Sequence, residues 1–161
     1  LCNKLYKREL LYHSCLDRKI VNYEDLLRNF VLFQRAERTV YEDFCPYQYW
    51  RRENSMSNNT ELARQFKHIL RAKEIIVDNS PNIYKDAAVR SFISSLVNCA
   101  NRLVFSKGKE SRSLYSECRR KLIAEKKHLG LLLDRQKTAA RLIILCPIIH
   151  KWVYRIYLKR K

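Results

Sequence analysis

The chain has 161 residues, 47% of them hydrophobic and 30% charged, enough apolar surface to bury a core and too much for a disordered tail. Two glycines and three prolines leave little turn material for a sandwich, a barrel or a glycine-rich phosphate loop, so helix is the expected state. A formal charge of +17 points to a polyanionic partner and is silent on fold and reaction.

That charge is unevenly placed. Residues 1–58 hold ten Lys and Arg against eight Asp and Glu, whereas residues 59–161 hold 23 against eight. Such an excess in the second stretch suits nucleic acid or the anionic face of a membrane. Cys2, Cys15, Cys45, Cys99, Cys118 and Cys146 are scattered, without the short spacing of a zinc ribbon or redox pair. They read as space-filling thiols of a reducing compartment, which points to the cytoplasm. His13, His68, His128 and His150 each lack a second ligand at metal spacing and read as structural. The chain opens at Leu1 directly in patterned sequence, so a fragment of a longer polypeptide is expected.

In chain order, Leu5, Tyr6, Leu10 and Leu11 form a short apolar stretch. Over Tyr23 to Arg38, Leu26, Leu27, Phe30, Val31 and Phe33 recur at spacings of three and four, predicting an amphipathic helix capped by Asn22, with Glu24 and Asp25 in its first turn. Thr39 to Trp50, rich in β-branched and aromatic residues, is expected to be extended, and a polar loop follows from Arg51 to Asn59. Asn58 and Glu61 suit a capping box for a helix bearing Leu62, Phe66, Ile69, Leu70, Ile75 and Ile76, stopped at Asn79-Ser80-Pro81. The next stripe is Ala88, Phe92, Ile93, Leu96, Val97, Ala100, Leu103 and Val104, with Gly108 placed as a left-handed stop. A third helix is predicted from Ser111 to Gln136 with Leu114, Tyr115, Cys118, Leu122 and Leu129 inward, and a fourth from near Lys137.

The C-terminal segment opens on the apolar run Leu142 to Ile149, too short to span a bilayer. Trp152, Tyr154 and Tyr157 then mix with Lys151, Arg155, Lys159, Arg160 and Lys161. That mixture fits either a packed helix with a basic end or a helix lying on an anionic membrane surface.

No Asp-x-Asp pair, nucleophile elbow or Walker loop is present, so the stretch shows no device of its own for gripping a nucleotide. On spacing alone, Glu24 and Asp25 are partners of the helix dipole. Asn3-Lys4-Leu5-Tyr6-Lys7-Arg8, Tyr23-Glu24-Asp25, Ala36-Glu37-Arg38 and Tyr47-x-Tyr49-Trp50-x-Arg52-Glu53-Asn54-Ser55 nevertheless follow in an order and spacing that resembles bacterial family 2 glycosyltransferases of the GT-A fold. The resemblance covers residues 1–60 and extends loosely over the helical remainder, where such enzymes often end in a basic helical tail with a break like Pro147. It implies an inverting, nucleotide-sugar-dependent enzyme of surface polysaccharide synthesis with a glycan or lipid-linked acceptor. Asp25 is then the general base, since a carboxylate must take the proton of the attacking hydroxyl, and Glu24 its supporting acid. Arg52 faces the leaving diphosphate, and Lys4, Tyr6 and Tyr49 line the substrate. Trp50 stands where these enzymes commonly carry arginine, and Tyr41-Glu42-Asp43 is a second copy of the acidic motif, disfavoured because too few residues separate it from Tyr49.

The resemblance also implies a divalent metal, Mg or Mn, and a donor-binding half, both ahead of Leu1; no cofactor is expected within this stretch. The expected architecture is mainly α: a basic helical bundle or stacked helical hairpins over 59–161, preceded over 1–58 by a short α/β remnant of a GT-A domain. The expected location is cytoplasmic, at the inner face of the cell membrane, with anionic lipid as partner. Nucleic acid is not expected, because no recognition-helix or RNA-binding signature appears. The competing reading is a free-standing basic helical module that binds nucleic acid or a protein.

Overall fold

The computed structural model describes residues 4–11, 23–43, 48 and 62–159. Seven α-helices appear among them: α1 (Arg8–Leu11), α2 (Glu24–Arg35), α3 (Leu62–Asn79), α4 (Asn82–Leu103), α5 (Lys109–Ala124), α6 (Asp134–Leu145) and α7 (Pro147–Lys159), with a 3-10 turn at Lys126–Leu131 between α5 and α6. The described residues contain no strand, and the mainly α expectation holds. Two compact units divide at Ala72 and Lys73, within α3. The junction expected at Asn58 lies outside the described residues, as do Asn22, the Asn58–Glu61 capping box and most of the segment expected to be extended. Its described residues, Thr39–Asp43 and Gln48, have no regular structure.

In the first unit α1 packs on α2. Tyr23, at φ 69°, turns the chain through the left-handed region at the N-cap of α2, and no side chain caps the helix there; a non-glycine residue in that region costs about 1 kcal/mol or more. The helix stops three residues short of Arg38 because Ala36 turns extended while its N–H still reaches the Leu32 carbonyl at 3.0 Å. Leu27 and Leu32 are its buried residues, and Phe33, expected inward, is exposed. Phe33 lies instead against the ring of Tyr6, with centroids 6.4 Å apart.

The second unit is a helical bundle built around α4. Ala88, Val89, Phe92, Ile93, Leu96, Val97, Cys99, Ala100 and Leu103 are all buried along it, an arc wider than one amphipathic stripe, because α5, α6 and the 3-10 turn all pack on this helix. The pairs Lys73–Ser91 and Lys85–Val77 close toward the Ser80-Pro81 turn, so the end of α3 and the start of α4 run antiparallel. Cys118 and Cys99 face each other at 3.4 Å across α5 and α4, and both are unpaired thiols, as is Cys146. Their hydrogen bond, followed by burial, holds the Cys99 thiol protonated.

Three local expectations need correction. Gly108 is not a stop for α4, which ends at Leu103; its φ of 129° serves the entry to α5. The helix predicted through Gln136 ends at Ala124 and gives way to the 3-10 turn. There the residues at i and i+3 eclipse, which is the spacing of Glu125 and His128, joined Oε2 to Nδ1 at 2.7 Å. The following helix consequently begins at Asp134 rather than near Lys137.

Pro147 separates α6 from α7. It has no N–H to give the Ile143 carbonyl four residues back, so the end of α6 needs another donor. Arg119 of α5 supplies it: Nε reaches the Ile143 and Ile144 carbonyls at 3.2 Å each, and a terminal nitrogen reaches Ile144 at 2.9 Å. The cation also sits at the negative end of the α6 dipole.

α7 is then pinned by His150, which is 2% exposed. Its Nε2 meets Asn101 Oδ1 at 2.8 Å and its Nδ1 meets the Tyr115 hydroxyl at 3.0 Å. Because Oδ1 only accepts, Nε2 carries the proton and Nδ1 accepts from Tyr115. Burial, aided by the Lys151 ammonium, pushes His150 down to about 4, and burial pushes Tyr115 up to about 12. Lys151 lies over the Tyr115 ring, 5.1 Å from its centroid. Tyr154, one turn beyond His150, stacks on it at 6.0 Å and meets Phe105 at 5.9 Å.

A histidine that takes up its proton near pH 6.5 when unfolded but only near 4 when folded favours the unfolded chain in between, so its contribution is whole at neutral pH and lost as the pH falls through that window. The drop amounts to about 3 kcal/mol. In urea unfolding of the second unit, His150→Gln is expected to lower stability at pH 7 and to approach the parent chain near pH 4.5; a gap independent of pH would contradict a neutral buried ring.

Candidate functional site

The first unit carries the described part of the motif set. Glu24 and Asp25 open α2 and both are exposed. Asp25 Oδ1 accepts the Leu26 N–H at 2.7 Å, satisfying one of the first-turn donors that a helix leaves open and placing negative charge at the positive end of its dipole. This much is the local role that spacing alone predicts.

Tyr6 adds a contact between motifs. Its hydroxyl donates to Asn29 Oδ1, while burial beside α2 raises its pKa. Asn29 stands four residues after Asp25, so the two share one face of the helix, with Cβ atoms about 5–6 Å apart. The Lys4–Arg8 segment is thereby fastened one turn along from the Asp25 carboxylate. The ring contact with Phe33, four residues further on, holds Tyr6 along the same face. Lys4 itself is exposed.

Tyr49 and Arg52 lie outside the described residues. Tyr41, Glu42 and Asp43 are exposed in a segment of no regular structure, whereas Asp25 lies in the first turn of α2. The described residues contain no cluster of three His, Cys, Asp or Glu side chains fit to hold a metal. Sequence reasoning missed Asn29. Only its position four residues after Asp25 signalled it, and that signal means little until Tyr6 is seen to reach it.

If Tyr6 and Asn29 act as one positioning pair, their losses overlap. Tyr6→Phe and Asn29→Ala are each expected to cost about 1 kcal/mol in chemical unfolding, and the double variant little more than either single one. Strictly additive losses would show that the two side chains do not interact in solution.

No family model, curated protein or solved structure matches this chain.

Proposed function

We propose that this chain is the C-terminal, acceptor-side part of a nucleotide-sugar-dependent glycosyltransferase of the family 2, GT-A type, transferring a sugar to a glycan or lipid-linked acceptor in bacterial surface polysaccharide synthesis. The observation that carries the reading is the hydrogen bond from Tyr6 to Asn29. It fastens the first motif block to the helix that presents Asp25, and such convergence is what a shared substrate wall requires. The exposed Asp25 leaves its carboxylate open to an incoming hydroxyl.

The chemistry follows from residue types. The acceptor oxygen attacks the anomeric carbon; its proton passes to the Asp25 carboxylate; the bond from that carbon to the diphosphate oxygen breaks, and the nucleoside diphosphate leaves with the electron pair. Glu24, adjacent on the first turn, supports the base. Arg52 offsets charge gathering on the leaving phosphates, as a guanidinium matches phosphate oxygens. Lys4 and Tyr6 line the acceptor side, with Tyr6 set by Asn29, and Tyr49 contributes to substrate binding. The unpaired thiols Cys99, Cys118 and Cys146 suit a reducing, cytoplasmic setting.

In the intact enzyme, Asp25→Asn is expected to lower turnover by about 100-fold or more with donor affinity nearly unchanged, because the amide keeps the shape and loses the base. Near-normal turnover in that variant would remove Asp25 from the base role.

A further inference from the structure

The last helix has two faces of different character. His150 and Tyr154 bind its inner side to α4, α5 and the segment around Phe105. At 100° per residue, Ile148, Trp152, Ile149 and Val153 fall together in an arc of about 140° on the other side. All four are exposed, Ile148 at 80% and Trp152 at 65%. A contiguous apolar strip of this kind, led by a tryptophan, is uncommon on a surface that meets only water.

Charge identifies what covers it. Lys151 and Arg155, both exposed, fall by helical position on the Ile148 edge of the strip, the Lys151 ammonium reaching over the Tyr115 ring there. The sequence continues into Lys159-Arg160-Lys161, and no Asp or Glu follows Asp134. The second stretch of the chain carries 23 basic residues against eight acidic ones. An apolar strip with a tryptophan, edged by cations and free of carboxylates, complements an interface that is apolar within and anionic at its rim. No helix of the described residues is long and apolar enough to cross a membrane.

We propose that the outer face of α7 docks in-plane on an anionic lipid surface, with Ile148, Ile149, Trp152 and Val153 entering the headgroup–acyl boundary and Lys151 and Arg155 meeting lipid phosphates. The proposal is independent of the sugar-transfer reading, since it concerns only the second unit and holds whether or not Asp25 is a base. The His150 contacts set the rotation of α7 and therefore which residues point outward.

The test is flotation of the full chain with phosphatidylcholine vesicles, with and without phosphatidylglycerol. Binding is expected only with the anionic lipid, weakening at least about fivefold when salt is raised. Ile148→Ser combined with Trp152→Ser should weaken it about tenfold or more at unchanged helical circular dichroism, both positions being exposed. Lys151→Gln combined with Arg155→Gln tests the charged edge without touching the apolar strip, and should lower affinity and reduce the salt dependence. Equal binding to neutral vesicles, or undiminished binding by the Ile148 and Trp152 double variant, would overturn the proposal. So would absence of vesicle binding accompanied by tight binding to a duplex oligonucleotide, or by self-association that the double variant abolishes.

Discussion

The second unit depends on one uncharged histidine. In a chain of net charge +17, a cationic ring at position 150 would have to be charged where it is only 2% exposed and would be repelled by the Lys151 ammonium besides. Burial resolves this by keeping the ring neutral, and neutrality gives it one donor and one acceptor, matched by the Asn101 oxygen and the Tyr115 hydroxyl. The ring therefore ties α7 to two helices at once. Because Tyr154 repeats the inward direction one turn later, the helix is fixed in rotation as well as in place, and its apolar remainder is left outward.

Arg119 performs a related task for α6. A proline break ordinarily leaves carbonyls exposed at the end of the preceding helix, and here the break is sealed by a side chain from α5. Both devices use α5 as their support: Tyr115 and Arg119 are four residues apart, on one face, and serve the last two helices in turn. Removal of the α5 register would loosen α6 and α7 together, whereas the Tyr6–Asn29 pairing belongs to the other unit and answers to a different set of contacts.

Periodicity made α4 legible almost to the residue, since every position of its predicted stripe, from Ala88 to Val104, is buried. The break after Ala124 was not legible. No proline marks it, Leu129 preserves helical spacing, and the Glu125–His128 pair is as much at home in an α-helix as in a 3-10 turn. Phe33 and Leu32 of α2 are equally apolar, so their spacing does not tell which is buried, and the aromatic contact of Phe33 with Tyr6 lies 27 residues away in sequence. For the candidate site, the first-turn placement of Glu24 and Asp25 followed from local rules. The fastening of Tyr6 to their helix is a long-range pairing that no local pattern encodes. For His150, the absence of a second ligand at metal spacing pointed to a structural role but not to its two partners, Asn101 and Tyr115.

The ring nitrogens of His150 offer the most direct measurement. Nitrogen-15 spectra of the histidine side chains, followed from neutral pH down to about 5, distinguish a protonated from a bare nitrogen at each position. A bare Nδ1 and a protonated Nε2 persisting across that range is the result expected of a ring that accepts from Tyr115 and donates to Asn101. A ring that becomes doubly protonated near pH 6.5, or that carries its single proton on Nδ1, would contradict the clamp and with it the fixed orientation of the last helix.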